Sequence, residues 1–107
     1  MEKHEENGKV AVLISPGYGA GWSTWNYEDD ISEAMLFDKD IIKLLLENPN
    51  ATSEAATLAE SKWPDCCVLG AKGLVVRWVC KGDQIRIRVY DGAESLETIG
   101  DFGGYIA

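Results

Sequence analysis

The sequence has little of what most catalytic and metal-binding sites use. Its single histidine, His4, lies in a polar segment, so a Ser-His-Asp triad, a Cys-His pair and a histidine metal site are nearly excluded. Its three cysteines, Cys66, Cys67 and Cys80, form no C-x-x-C pair and predict neither a zinc site nor a disulfide framework. We therefore expect reduced thiols, no metal site and no cofactor.

Long hydrophobic runs and an excess of basic residues are also missing. No stretch approaches the roughly 18 apolar residues of a membrane span, and no basic-then-apolar leader opens the chain, so we expect a cytoplasmic protein without a membrane partner. Ten Lys and Arg against eighteen Asp and Glu give a formal charge of −8. This balance argues against general nucleic-acid binding, and an acidic surface favours solubility or docking on a basic partner.

The order of the apolar runs predicts an α+β fold. Residues 1–8 are polar without periodicity and are expected to form a disordered tail, followed by a single domain over 9–107. The continuous apolar run over 9–15 is typical of a central strand buried on both faces. We expect a small mixed sheet in β-α-α-β-β-β order with two helices on one face. The other elements are predicted as a short helical segment over 31–37, helices over 39–48 (with Asp38 as N-cap) and 54–63, and strands over 74–80, 84–90 and 95–99.

The strands over 74–80 and 84–90 are predicted to form a hairpin with Gly82-Asp83 as its two-residue turn. This register places Arg77 directly opposite Arg88, and like charges in that position destabilise a sheet. We expect Glu97 of the last strand, an anionic ligand or a second copy of the chain to neutralise them. The predicted core face consists of Leu74, Val76, Trp78, Cys80, Ile85, Ile87 and Val89. The opposite, arginine-bearing face consists of Val75, Arg77, Val79, Arg86, Arg88 and Tyr90.

A glycine-rich loop over 15–26 separates the first strand from the helices. A strand followed by glycines and hydroxyl residues is typical of an anion cradle, but the loop matches neither G-x-G-x-x-G nor the Walker pattern. The loop is either structural, with Trp22 and Trp25 closing the end of the sheet, or a ligand or partner site. The predicted binding residues are Gly17, Tyr18, Gly19, Gly21, Trp22, Ser23, Thr24 and Trp25, together with Arg77, Arg86, Arg88 and Tyr90.

The acidic run Glu28-Asp29-Asp30 follows this loop. Paired carboxylates can act as general acid and base, so a carboxylate-based hydrolase is a distant third function. A charge run at a helix entry is more typical of a cap and dipole device.

Two stretches resemble a family of small uncharacterised bacteriophage and prophage proteins. They are VLISPGYGAGWSTW, from Val12 to Trp25, and the hairpin region with Lys81-Gly82 and the run from Tyr90 to Glu97. The resemblance implies a phage-encoded accessory protein in the bacterial host cell. Such proteins often act by binding, so we expect a non-enzymatic inhibitor of a host or anti-phage defence protein. The alternative is a protein that sequesters a nucleotide or another anionic small molecule through the loop and the arginine face. A homo-oligomer that covers the arginine face is also compatible with the sequence.

Overall fold

A computed structural model describes residues 2–17, 19–29, 31–98 and 105–107, and the side chains of 27–29 lie outside this description. Within these ranges no helix is both long enough and apolar enough to cross a membrane. The strands are β1 (Glu5–Glu6), β2 (Lys9–Ile14), β3 (Val75–Cys80), β4 (Gln84–Tyr90), β5 (Ala93–Thr98) and β6 (Tyr105–Ile106). The α-helices are α1 (Ser32–Phe37), α2 (Lys39–Glu47) and α3 (Thr52–Lys62), and 3₁₀ helices span Ser23–Asp29 and Leu69–Gly73.

The first sheet is antiparallel in the order β1-β2-β3, with β2 in the centre. Every residue from Val10 to Leu13 is fully buried, which confirms the prediction of a central strand with two covered faces. Asn7 and Gly8 join β1 to β2 with φ values of 53° and 78°. Positive φ at both central residues defines the tight turn that matches strand twist, and Asn-Gly is its preferred sequence. The segment expected as a disordered tail therefore contains a short paired strand.

One face of the first sheet is covered by helices, as predicted. Asp38 caps α2, because its Oδ2 accepts a hydrogen bond of 3.0 Å from the Ile41 backbone N–H. Ala55 and Ala59 of α3 are fully buried and belong to the same hydrophobic cluster as Ala11 and Leu13 of β2. Small side chains at these helix positions let the helix approach the core closely.

The other face of the first sheet is covered by a second antiparallel sheet, in the order β5-β4-β6. Val10, Val12 and Ile14 point to this side, since side chains alternate along a strand. They form a second cluster with Ile85 of β4 and with Leu36 and Phe37 of α1, and Leu96 of β5 packs against it. The α+β class and the element order are confirmed, but the strands form two antiparallel sheets rather than one mixed sheet.

The predicted hairpin between β3 and β4 is wrong, because these strands belong to different sheets. The Asp83 N–H donates to the Cys80 carbonyl at 3.1 Å, and Gly82, the third residue of this turn, has φ +90°. Positive φ at the third position alone is typical of a type II turn, which splays the flanking strands instead of pairing them. Arg77 consequently lies opposite Val12 rather than Arg88.

The predicted core face changes with this pairing. Leu74 and Ile85 are buried as expected, whereas Val79, assigned to the outer face, is only 7% exposed. Members of the predicted core face that are exposed instead are Trp78, Cys80 and Val89.

The last predicted strand is present as β5, joined to β4 by Asp91-Gly92 with φ values of 51° and 83°. Its register places Glu97 opposite Arg86, so Glu97 faces the arginines of β4, whereas Arg77 lies in the other sheet. Ile99, the predicted end of this strand, lies outside the described residues.

Candidate functional site

The glycine-rich loop folds around the carboxylate of Glu94, a β5 residue that is only 2% exposed. Glu94 Oε1 accepts a hydrogen bond from the Ser15 N–H at 2.9 Å. Glu94 Oε2 accepts three more, from the Trp22 N–H at 2.8 Å, the Thr24 N–H at 3.1 Å and the Thr24 hydroxyl at 2.6 Å. One acidic side chain therefore fastens both ends of the loop to a strand at least 70 positions later in the sequence.

This arrangement has the chemistry of the predicted anion cradle, with an occupant supplied by the chain itself. Backbone N–H groups that converge on one point favour an anion, and hydrogen bonds to a charged acceptor are shorter and stronger than neutral ones. Both oxygens of Glu94 are engaged. The loop donors that a phosphate would need are thus already paired within the protein.

Two further side chains hold the loop from inside. Trp22 is fully buried, and its indole Nε1–H donates to the Met35 carbonyl at 2.9 Å. Asn26, 2% exposed, donates from Nδ2 to the carbonyls of Trp22 (2.8 Å) and Cys67 (3.0 Å). Its Oδ1 accepts the Cys67 N–H at 2.7 Å. Asn26 therefore satisfies three backbone groups and ties the first 3₁₀ helix to the segment that follows α3.

Glycine is required where backbones meet around the loop. A Cβ on Gly70 would stand 2.6 Å from the carbonyl carbon of Gly21, and one on Gly92 would overlap the backbone of Ala20. The loop therefore lies directly against the second 3₁₀ helix and the β4–β5 turn. Gly17 and Gly19 differ, since both are exposed and a Cβ on either would meet nothing within 4 Å.

The outer side of the loop meets the tip of the β4–β5 hairpin. The Gly19 N–H donates to the Asp91 carbonyl at 3.0 Å, so the loop and the hairpin turn are directly joined. Three large apolar side chains are exposed here: Trp25 (41%), Val89 (46%) and Tyr90 (78%). Trp25 follows the residue that binds Glu94, and Val89 is the cross-strand neighbour of Glu94. Tyr90 points to the opposite, outer face of β4, since side chains alternate along a strand. We call these three residues, which lie around the tip on both faces of the hairpin, the hairpin-tip patch.

The arginines do not act as one group. Glu97 bridges two of them, with Oε2 at 2.9 Å from Arg86 Nη2 and Oε1 at 3.3 Å from Arg88 Nε. Arg77 belongs to the other sheet, and in the part of the chain that the structure describes no carboxylate lies within 4 Å of it. The structure therefore brings Arg86, Arg88 and Tyr90 together on the outer face of the second sheet and separates Arg77 from them.

The predicted loop residues divide into a buried and an exposed group. Gly21, Trp22 and Ser23 are buried and Thr24 is half-buried, whereas Gly17, Gly19 and Trp25 are exposed. Tyr18 and Asp30 lie outside the described residues, and so do the side chains of Glu28 and Asp29. A ligand- or partner-binding role for this set stays a prediction.

Glu94 and Asn26 are missing from the predicted site. A signal for Glu94 exists in the sequence: if Glu97 faces outward, alternation turns Glu94 and Leu96 inward, and an inward carboxylate needs donors. No comparable signal marks Asn26, because its partner segment lies 41 positions away.

No group of three or more His, Cys, Asp or Glu residues that could hold a metal ion occurs among the described residues. No protein-family model matches the chain, and neither a curated protein nor a solved structure matches it.

Proposed function

We propose that this protein is a non-enzymatic binding protein that docks on a protein partner through the hairpin-tip patch. The single observation that carries the proposal is the exposure of three large apolar side chains, Trp25, Val89 and Tyr90, around the junction of the loop and the β4–β5 hairpin. Trp and Tyr, together with Arg, dominate the energetically important positions of protein interfaces. Arg88 is also exposed and is the neighbour of Tyr90 on the outer face of β4, so all three of these residue types are present.

The support beneath the patch favours binding over a loose surface loop. Glu94 fixes the loop on one side, and the Asp91-Gly92 turn fixes the hairpin on the other. Aromatic side chains on a backbone that is already ordered lose less entropy on association, because ordering costs reduce affinity.

The resemblance to phage proteins supplies the class of partner that we propose, a host or anti-phage defence protein whose activity the binding inhibits. The formal charge of −8 supports a partner of net positive charge, which the acidic chain attracts at long range. A cytoplasmic location in the bacterial host cell is part of the same proposal.

A small anionic ligand, such as a nucleotide, is the second candidate. Arg86 and Arg88 present guanidinium groups suited to phosphate, but both already pair with Glu97. The loop donors are likewise occupied by Glu94. A ligand would have to displace two internal carboxylates, so we rank this candidate below protein binding.

The test compares capture of host protein from bacterial lysate by the wild type, Tyr90→Ala and Leu46→Ala. Leu46 is the matched control, because it is a large apolar residue exposed to 40% on α2, on the opposite, helical layer. We expect one partner to be retained by the wild type and by Leu46→Ala and lost by Tyr90→Ala, with circular dichroism unchanged in all three.

Equal capture by Tyr90→Ala and the wild type would contradict the proposal. Native mass spectrometry of the wild type addresses the second candidate. If the native protein carries extra mass that is lost on denaturation, and no protein is captured from the lysate, ligand binding would become the favoured function.

A further inference from the structure

We infer that the glycine-rich loop is a binding site for a small carboxylate, and that Glu94 is the tethered occupant of that site. The inference does not depend on the partner proposed above. It concerns four donors of the loop: the N–H groups of Ser15, Trp22 and Thr24 and the hydroxyl of Thr24. All four belong to the loop and the start of the 3₁₀ helix, and none belongs to the hairpin that carries Glu94.

The donors are arranged as a receptor for an oxyanion. They converge on two oxygens at 2.6–3.1 Å, within the range of well-formed hydrogen bonds. The carboxylate is almost entirely removed from water at 2% exposure. Buried polar groups persist only when hydrogen-bonded, so removing the carboxylate leaves the loop N–H groups in need of another acceptor.

The site selects its ligand by charge. Across the described part of the chain, no Lys or Arg nitrogen lies within 4 Å of the Glu94 carboxylate. Binding therefore relies on N–H and O–H dipoles alone. A dry site without a cation favours a singly charged carboxylate over a doubly charged phosphate, because burying charge becomes more costly as the charge rises.

The site also selects by size. Replacing Glu94 by alanine removes one methylene group and the carboxylate, which are the atoms of acetate apart from hydrogen. Gly21 forms a close wall, since a Cβ built on it would stand 3.0 Å from Glu94 Oε2. Acetate fits the vacated volume, whereas the ring of benzoate does not.

In the native chain the tether keeps external carboxylates out. A ligand attached to the same fold acts at a high effective concentration, so a free carboxylate competes poorly with it. The wild type should therefore be indifferent to acetate. Glu94→Ala should bind acetate and be stabilised by it, because a ligand that binds only the folded state shifts the folding equilibrium.

The experiment is urea denaturation of Glu94→Ala in sodium acetate, compared with sodium chloride and sodium benzoate at equal ionic strength. Above the dissociation constant we expect the folding equilibrium constant to rise about tenfold for each tenfold increase in acetate, as one site requires. Glu60→Ala is the control, since it loses the same atoms from an exposed position on α3. We expect no acetate dependence in Glu60→Ala or in the wild type.

Glu94→Gln keeps the volume filled but turns an amide nitrogen towards the donors, so it should be less stable than the wild type and unresponsive to acetate. If Glu94→Ala is unfolded in chloride, the same titration is read as acetate-dependent recovery of helical circular dichroism. The inference is overturned if acetate and chloride act equally on Glu94→Ala, or if no structure is recovered at any acetate concentration. An equal response in Glu94→Gln would also overturn it, because the site would then not be the origin of the effect.

Discussion

Replacing Gly70 by alanine should loosen the glycine-rich loop from the body of the protein. The added Cβ would stand 2.6 Å from the carbonyl carbon of Gly21 and 3.1 Å from the nitrogen of Trp22. Ordinary contacts of a Cβ begin near 3.4 Å, and the Gly21 carbonyl oxygen would be closer than its carbon, so the two backbones must separate by more than about 0.8 Å. The loop cannot move freely, because the Trp22 N–H is bound to Glu94 at 2.8 Å.

The magnitude follows from these two terms. Forcing an extra methyl group into a packed site typically costs about 1–3 kcal/mol. Weakening one hydrogen bond to a charged acceptor adds up to about 1.5–3 kcal/mol. We therefore expect Gly70→Ala to lower the free energy of unfolding by about 2–4 kcal/mol. For a domain of this size each kcal/mol corresponds to about 4–8 °C in the midpoint of thermal unfolding.

Two other glycines separate the steric cost from the conformational cost. Gly17 has open space around it and no positive φ, so Gly17→Ala should be neutral or stabilise by up to about 1 kcal/mol. Gly82 also has open space but has φ +90°, so Gly82→Ala should cost about 1–2 kcal/mol from backbone strain alone. Thermal and urea unfolding of the three variants give the comparison. A Gly70→Ala variant as stable as Gly17→Ala would refute the close approach of the two backbones.

Two further substitutions test the ion pair between α2 and α3 and the buried amide. The hydrogen bond from Lys62 to Asp40 at 2.7 Å lowers the pKa of Asp40 from its usual value and raises the pKa of Lys62 from its usual value. The contribution of Asp40 to the free energy of unfolding is present above the pKa of Asp40 in the unfolded chain and is lost as the pH falls through the lower pKa of the folded state. The contribution of Lys62 is lost as the pH rises through its raised pKa. Asp40→Asn should remove the acid dependence in urea unfolding across pH and reduce the alkaline one, because Asp38 Oδ1 also pairs with Lys62 at 3.1 Å. The cost at neutral pH should stay below about 1 kcal/mol because the pair is exposed, and an unchanged acid limb would contradict the assignment. Asn26→Ala leaves the Cys67 N–H and the carbonyl of Trp22 without their partner, so it should lower the free energy of unfolding by about 2–4 kcal/mol, and a loss below about 0.5 kcal/mol would show that water replaces the amide.

Local patterns were sufficient for most of the elements. The apolar run of β2 requires cover on both faces, and the structure provides it with helices on one side and with a second sheet and the end of α1 on the other. Asp38 and Pro49 bracket α2 through capping and the missing proline N–H, both of which act within a few residues. The Asp91-Gly92 turn defines its hairpin for the same reason. Asn7-Gly8 is an equally typical hairpin turn, but the polar residues around it led to the prediction of a disordered tail.

The division into two sheets depends on which turn position the glycine occupies, and the composition of the turn does not reveal that position. Gly82-Asp83 looks like the central pair of a hairpin turn, but in the structure Gly82 is the third residue of the Cys80–Asp83 turn and is its only residue with positive φ. Asn-Gly and Asp-Gly accept positive φ at both positions and so pair their strands. The predicted arginine face required a β3–β4 hairpin, so the prediction is wrong for Arg77. Arg86 and Arg88 do share one face, which β4 forms with β5.

The loop itself could be found from its glycines, but its occupant could not be chosen from the chain's eighteen acidic residues. The contact between Ser15 and Glu94 spans 79 positions, and only the assembled fold brings them together. Alternation along β5 shows which acidic residue of this strand points inward, but it does not show that this residue contacts the loop.

The position of Glu94 explains how a glycine-rich segment can support exposed aromatic residues. Glycines in a loop raise the entropy lost on folding, and the convergent N–H groups of this loop need an acceptor. A buried carboxylate meets both needs with four hydrogen bonds, which hold in place the backbone that leads to Trp25. Stability and recognition are therefore separable here: Tyr90→Ala should alter partner capture alone, whereas Glu94→Ala should alter both. A Glu94→Ala protein that is restored by acetate in stability should regain capture as well, because the ligand returns the loop to its native position.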